Sequence, residues 1–78
     1  MFPIQHAILS DLRSGPQRAS VLKQRYGPAM RNLITVLNRD LPQGYRIKGK
    51  WMQIKTKFGV VVDYVYRLEV PRAAKARR

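Results

Sequence analysis

The chain has 78 residues, enough for one domain with a small hydrophobic core. It has no cysteine and a single histidine, which excludes a disulfide framework, a thiolate metal site and a zinc site built by this chain alone. Its four acidic residues are spread along the chain and form no pair suited to acid–base catalysis. We therefore expect neither an enzyme nor a bound metal or cofactor, and no run approaches the ~18 apolar residues of a membrane span.

Charge is the most informative feature of the composition. Sixteen lysines and arginines against four acids give a formal charge of +12 at neutral pH. A field of this sign attracts polyanions, among which nucleic acid is the common partner. A solvated surface without a partner, or a domain that binds anionic membrane, would also carry such charge. We favour nucleic acid, and we expect no membrane partner and no small-molecule substrate.

Residues 3–14 are predicted to form the first helix. Apolar residues recur there at helical spacing on one face: Ile4, Ala7, Ile8 and Leu12, with Leu9 beside them. Ser14-Gly15 then favours a helix end, since glycine is the usual residue just past a helix.

Residues 16–26 are predicted to form the second helix, with Pro16 at its first position. Its apolar face consists of Ala19, Leu22 and Tyr26. Arg18 and Arg25 lie together on the opposite side of this helix, where they could contact phosphates or be solvated.

The third helix is predicted over residues 28–41. Gly27 can adopt the left-handed conformation that ends the preceding helix, and Pro28 suits the start of the next. One side of the third helix carries an apolar stripe of Met30, Leu33, Ile34, Leu37 and Leu41. The other side carries a polar arc of roughly 120°. This arc consists of Arg31, Asn32, Thr35, Asn38 and Arg39.

The residue types in this polar arc are those that read base edges in DNA. Arginine binds guanine, asparagine binds adenine, and threonine contacts a thymine methyl group or a phosphate. Any surface helix needs a polar face, but a solvated face would favour glutamate and lysine. We therefore favour contact with bases or backbone over a solvated face.

After a turn at residues 41–44 the chain is predicted to form β structure. Odd positions are apolar up to Ile47, whereas the even positions, Met52 and Ile54, are apolar further along the strand. One straight strand cannot change the face that it buries, so we expect a β-bulge or bend at residues 49–50. Residues 57–60 are predicted to form a tight hairpin turn.

The return strand has one consistently apolar face, Val60, Val62, Tyr64, Tyr66 and Leu68. Its other face is not fully polar, because Val61 and Val65 lie there beside Asp63 and Arg67. Another strand, the tail or a second subunit could cover that face, so a homodimer is among the expected partners.

Residues 71–78 are predicted to form a flexible basic tail, with residues 1–70 as the folded domain. The tail carries four positive charges and no acid. It would add electrostatic affinity for nucleic acid without sequence choice, although it could also be a terminus with no role.

Three helices followed by a basic β-hairpin resemble a winged helix-turn-helix domain. The resemblance covers about residues 4–69 and is carried by LKQRYG at 22–27, PAMRNLITVL at 28–37, GYRI at 44–47 and YRL at 66–68. Gly27 and Leu33 match the family pattern, whereas Lys23 stands where the family usually has a small residue. The resemblance implies an α+β fold, a small winged helix with three helices followed by a C-terminal β-hairpin wing. The third helix would enter the major groove and residues 50–60 would form the wing.

The resemblance also assigns roles to the candidate site. Four residues of the third helix would face base edges: Arg31, Asn32, Thr35 and Asn38. Further cations would contact the backbone or extend the positive surface: Arg39, Arg46, Lys48, Lys50, Lys55 and Lys57. Arg18 and Arg25 of the second helix complete the candidate DNA-binding set. Trp51 would either stack on a sugar or base or cover an edge of the core.

The sequence therefore predicts a sequence-specific protein that binds double-stranded DNA. It would be a small bacterial, phage or plasmid transcriptional regulator or architectural factor, located in the cytoplasm and associated with the nucleoid. The alternative is a basic interaction module that binds structured RNA or an acidic protein surface as a small inhibitor.

Overall fold

Three helices and a three-stranded antiparallel sheet make up the computed structural model, which describes residues 2–71. In chain order the elements are α1 (Pro3–Ser14), β1 (Gln17–Arg18), α2 (Ala19–Tyr26), α3 (Met30–Asp40), β2 (Arg46–Thr56) and β3 (Gly59–Glu69). The sheet order is β1-β3-β2, so β3 is the central strand. The expected α+β class is confirmed, and the expected basic tail lies outside the described residues apart from Pro71.

One hydrophobic core lies between the helices and the sheet. Its buried members come from all three helices and both long strands: Ile8, Leu9, Leu12, Leu22, Met30, Ile34, Leu37, Ile47 and Tyr66. Each helix contributes apolar residues from one of its faces. The burial of these residues away from water stabilises the packing of the helices on the sheet.

The buried face of α1 is rotated slightly from the expected one. Gln5 is buried on the same face as Ile8 and Leu12, whereas Ile4 is exposed. A buried glutamine is tolerated here because its Oε1 accepts a 2.8 Å hydrogen bond from the backbone N–H of Phe2 at the helix start.

The expected start of the second helix at Pro16 is wrong. Residues 17–18 form β1, which pairs with Tyr66 and Val65 of β3, and α2 begins only at Ala19. The pairing satisfies backbone groups with a segment far away in sequence. A two-residue strand has no periodicity of its own, so nothing local distinguishes it from a helix start.

The turn between α2 and α3 is built on Gly27. Its φ of 90° lies in the left-handed region, and its N–H donates to the Lys23 carbonyl at 2.8 Å. Residues 28–29 continue the turn, so α3 begins at Met30, two residues later than expected. It ends at Asp40, one residue earlier than expected.

The hairpin strands β2 and β3 pair without interruption, from Arg46 opposite Glu69 to Thr56 opposite Gly59. The β-bulge expected at residues 49–50 is therefore wrong, because the constant register leaves no extra residue on either strand. The expected tight turn at the tip of the hairpin is confirmed.

The hairpin thus keeps one face toward the helices, the inner face, and one face away from them, the outer face. Ile47 and Tyr66 are buried on the inner face, and Trp51 belongs to this face further along β2. Met52 and Ile54 belong to the outer face, where Met52 is exposed and Ile54 is half-buried. Their expected burial, which had suggested the bulge, is wrong.

Gly49 lies on the inner face of β2, where only a residue without a side chain fits. The ring of Tyr64 lies directly over it, and a Cβ at position 49 would be 2.1 Å from Cε2 of that ring. Tyr64 also makes edge-to-face contacts with Trp51 and Tyr66, at ring-centroid distances of 5.2 and 5.1 Å. Gly49 therefore makes room for a row of three aromatic rings on the inner face.

The hairpin extends beyond the core. Phe58 at its tip is 95% exposed, and Val60 and Val62 are exposed although they belong to the inner face. The Cα trace measures 40 × 29 × 16 Å, so the protein is flat and elongated.

We predict that Gly49→Ala destabilises the fold by about 1–3 kcal/mol because the added methyl group displaces the Tyr64 ring. Urea unfolding at neutral pH measures this loss. In a Tyr64→Ala background the same substitution should cost much less, because no ring then occupies the space. An equal cost in both backgrounds would show that the Tyr64 ring is not what requires glycine at position 49.

Candidate nucleic-acid interface

The exposed face of α3 carries four of the five residues predicted for its polar arc. Arg31, Asn32, Thr35 and Arg39 are all exposed, opposite the buried stripe of the same helix. Thr35 Oγ1 donates to the Arg31 carbonyl at 3.1 Å, which leaves the hydroxyl lone pairs and the methyl group accessible. The helix therefore presents two guanidinium groups, one amide and one hydroxyl on one continuous surface.

Asn38, the fifth residue of the predicted arc, holds α3 to β2. Its Nδ2 donates to the Ile47 carbonyl at 3.0 Å, and its Oδ1 accepts from the Ile47 N–H at 2.7 Å. Both ends of the amide are engaged with one backbone residue, and the side chain is half-buried. The structure therefore gives Asn38 a structural position, at the margin of the arc that faces the sheet.

Two cations predicted to contact DNA from the second helix are engaged in ion pairs. Arg18 lies in β1 rather than in a helix, and its Nε contacts Asp63 Oδ2 at 3.1 Å. Arg25 lies on α2 as expected, and its Nη1 contacts Asp11 Oδ2 at 2.9 Å. Both pairs are partly exposed and tie α2 or its N-terminal flank to a neighbouring element.

Each of these two carboxylates also accepts a hydroxyl hydrogen bond. Tyr26 donates to Asp11, and this bond, followed by the Arg25 guanidinium, lowers the pKa of Asp11 below its ordinary value of 3.8. The pKa of Asp63 is lowered chiefly by the hydroxyl of Ser20 and then by Arg18. Burial raises the pKa of Tyr26, and its hydrogen bond to Asp11 adds to the rise, so the phenol stays a proton donor.

The predicted hairpin cations divide between the two faces of the sheet. Lys55 shares the inner face with Trp51, whereas Lys48 and Lys50 lie on the outer face beside Arg67. Lys48 Nζ also contacts Glu69 Oε1 at 3.2 Å. The outer pair therefore lies on the opposite side of the sheet from the exposed face of α3.

At each end of α3 an open depression lies between this helix and the hairpin. At its C-terminal end Arg39 and Arg46 line the same depression, which also includes Asn38. At its N-terminal end a cleft of about 370 Å³ is lined by Arg31 of α3, Lys23 of α2 and Trp51 of β2. At each end of α3, a predicted cation of the helix therefore lines the same depression as a predicted residue of the hairpin.

Lys23 was absent from the predicted site, and the structure brings it to this interface. The only sequence signal was its departure from the small residue usual at that position in the resembling family. Its neighbour Leu22 is completely buried in the core, whereas Lys23 is exposed and lines the cleft.

The acids compensate only part of the positive charge. Among residues 2–71, ion pairs engage Arg18, Arg25, Lys48 and Arg67. The cations of this part of the chain that make no ion pair include all those on α3 and at the hairpin tip: Arg31, Arg39, Lys55 and Lys57. Cations without an ion pair therefore lie along α3 and at the end of the hairpin, and α3 also carries one acid, Asp40, as its last residue.

Residues 2–71 contain no cluster of three or more histidine, aspartate or glutamate side chains that could hold a metal ion. No helix within the same range is long and apolar enough to cross a membrane.

Comparison with known proteins adds no relative: the chain matches no family model, no curated protein and no solved structure.

We predict that Asn38→Ala lowers the free energy of unfolding by about 1–3 kcal/mol, because it leaves the N–H and carbonyl of Ile47 without their partner. Urea unfolding measures the loss. Asn32→Ala, an exposed position on the same helix, is the matched control and should change stability by no more than about 0.5 kcal/mol. Equal stability of the two variants would contradict the structural role of Asn38.

We also predict that Asp11 makes stability depend on pH in the acid range. Since its pKa is lower in the folded chain than in the unfolded one, its contribution is present above the ordinary value of 3.8. That contribution is lost as the pH falls through the lower folded pKa. Urea unfolding between pH 7 and pH 2.5 should therefore show the difference between wild type and Asp11→Asn shrinking toward acid. Tyr26→Phe, which removes the strongest hydrogen bond to Asp11, should show part of the same effect, and a pH-independent difference would refute it.

Proposed function

We propose that this protein is a winged-helix domain that binds double-stranded DNA, with α3 in the major groove and the β2–β3 hairpin as the wing. The observation that carries the proposal is the exposed face of α3. It combines Arg31, Asn32, Thr35 and Arg39 on one surface, beside a projecting hairpin that carries lysines. These are side chains that hydrogen-bond to bases and phosphates.

The order of elements is compatible with this proposal. A helix-turn-helix pair, α2 and α3, is followed directly by a long antiparallel hairpin, and α1 packs into the same core. Ile47 at the base of the hairpin is buried in that core and bonded to Asn38, so the hairpin is fixed against α3. A rigid connection of this kind would let helix and wing engage one duplex together.

The distribution of charge also supports the proposal. Ion pairs engage Arg18 of β1, Arg25 of α2 and Lys48 and Arg67 of the outer face, whereas the cations of α3 and of the hairpin tip make none among residues 2–71. These unpaired cations would attract a polyanion to the side that carries α3. Desolvating these cations against phosphates would require no internal ion pair to break.

Within this proposal the roles of the site residues are revised. Arg31, Asn32 and Thr35 are the candidates for base edges, and Arg39 and Arg46 are candidates for phosphates at the C-terminal end of α3. Lys55 and Lys57 would follow the DNA backbone as part of the wing, and Lys48 and Lys50 would contribute to the positive field from the outer face of the sheet. The proposed role is that of a sequence-specific regulator or architectural factor, and a nucleoid-associated cytoplasmic location would follow from it.

A homodimer stays a prediction. The part of β3 that β1 does not cover would be the surface at which two copies pair. Strand β1 pairs with β3 only at Val65 and Tyr66, so within residues 2–71 the β3 edge from Gly59 to Val62 has no strand beside it. The lysines of the hairpin strands lie on β2, the opposite edge. Lysines deter pairing at a strand edge, and the β3 edge lacks them.

Binding to a labelled duplex, measured by fluorescence anisotropy at several salt concentrations, tests the proposal. The logarithm of the affinity should fall by at least ~2 units per tenfold increase in salt, because several phosphates are neutralised. Lys55→Ala combined with Lys57→Ala should make this slope shallower by about 2. Arg31→Ala should cost about 1–3 kcal/mol on a selected binding site and less on random DNA.

Arg13→Ala is the matched control, because Arg13 is an exposed cation on α1 and does not belong to the proposed DNA-contacting residues. It should leave discrimination between the selected site and random DNA unchanged. A salt slope below the expected range would contradict the proposal, as would tighter binding to structured RNA or to an acidic protein. Equal losses for Arg31→Ala on selected and random DNA would show that Arg31 does not choose the sequence.

A further inference from the structure

We propose that the cleft between α2, α3 and the hairpin binds one unstacked nucleotide of a DNA strand. The base would stack on the indole of Trp51, and the phosphate would contact Lys23 and Arg31. This inference rests on the proposed nucleic-acid function and adds a separate site to it, with a preference for DNA that has an unpaired base.

The first observation is an aromatic surface that is built into the fold and then left open. Trp51 is 68% exposed, although it belongs to the face of the sheet that packs on the helices. It is supported on one side by Tyr64, with ring planes at 77° and centroids 5.2 Å apart. Gly49 allows this support, because any side chain there would occupy the position of the Tyr64 ring. The exposed indole is thus held by its neighbours.

The second observation is the charge around this surface. Lys23 and Arg31 line the same cleft as Trp51, and neither makes an ion pair among residues 2–71. Asp63 also lies in the wall of the cleft, but its carboxylate is engaged by Arg18 and Ser20. The cleft therefore presents two cations and a neutralised acid, which favours a phosphate beside the aromatic ring.

The third observation is the size of the cleft. Its volume of about 370 Å³ lies in the range of pockets that bind small molecules. It is bounded on one side by Pro28 at the turn before α3 and on the other by the hairpin. A single nucleotide is a suitable occupant of such a space, whereas a base pair within a duplex is too large.

The chemistry of stacking decides which nucleotide fits. A base inside a duplex is covered on both faces by its neighbours, so it has no face to offer to an indole. A base in a single strand, a gap or a tail is uncovered, and aromatic side chains bind such bases with little sequence preference. The cleft should therefore favour duplex DNA with a single-stranded tail over the same duplex with blunt ends.

Intrinsic fluorescence gives a direct test, because Trp51 is the only tryptophan of the chain. The full chain is titrated with three probes: a blunt duplex of thirty base pairs, the same duplex with a ten-nucleotide thymidine tail, and the free thymidine strand. We expect strong quenching of Trp51 by the tailed duplex and the free strand, and weak quenching by the blunt duplex. Equal quenching by the blunt and tailed duplexes would overturn the proposal.

Variants are then compared by the anisotropy of the labelled DNA. Trp51→Leu should weaken binding of the tailed duplex about tenfold, and Trp51→Phe should restore most of it because a ring is retained. Lys23→Ala should weaken binding of the tailed duplex several-fold. Phe58→Leu is the matched control: it removes the exposed aromatic ring at the hairpin tip, which is not part of the cleft.

The outcomes separate this inference from the proposed function. Tight binding of the blunt duplex without preferential quenching by the tail would overturn the cleft site and leave duplex binding intact. Quenching by the free strand without duplex binding would support the cleft and contradict the proposed duplex-binding function. If Trp51→Leu and Trp51→Phe lost the same affinity for every probe, Trp51 would be needed for the stability of the fold and not for stacking on a base.

Discussion

The two hydrogen bonds between the Asn38 side chain and the backbone of Ile47 fix α3 against the sheet. They satisfy backbone groups at the point where β2 leaves the core, and they hold the helix in one position along the strand. Ile47 is buried in the same core as Leu37 of α3, so hydrophobic packing and hydrogen bonding act at the same place. The spacing between the exposed face of α3 and the hairpin depends on this joint. Both ends of the Asn38 amide are used in these bonds. Four of the five polar residues of the predicted arc therefore remain free to contact a partner.

The second constraint is the shortage of acids. Three of the four acidic residues, Asp11, Asp63 and Glu69, join neighbouring segments through ion pairs. The cations that these acids engage lie away from the exposed face of α3, so Arg31 and Arg39 on that face make no ion pair among residues 2–71. The contribution of each partly exposed pair to stability is small, of order 1 kcal/mol or less. The pairs also decide which cations are left without a partner, and unpaired cations contribute most to the attraction of a polyanion.

Patterns within single segments predicted much of the fold. The helical spacing of apolar residues located all three helices, and glycine at position 27 located the turn between the second and third. The strands β2 and β3 followed from their composition, and the exposed positions of α3 followed from its buried stripe. The errors arose where contacts distant in sequence decide the structure. The two-residue strand β1 exists only because β3 lies beside it, and Met52 and Ile54 lie on the outer face because β2 and β3 keep one register through Gly49.

The sequence by itself determined the charge, the α+β class, the approximate limits of the helices and the residue types on the exposed face of α3. Composition and local periodicity suffice for these properties, because each depends on neighbours within a few turns of chain. Only the tertiary structure decided which of the polar residues remain accessible. It engaged Asn38 with β2, divided the hairpin lysines between two faces, and brought Lys23 and Arg31 to the same cleft as Trp51. These outcomes depend on packing and on strand register between distant segments, which no local pattern specifies.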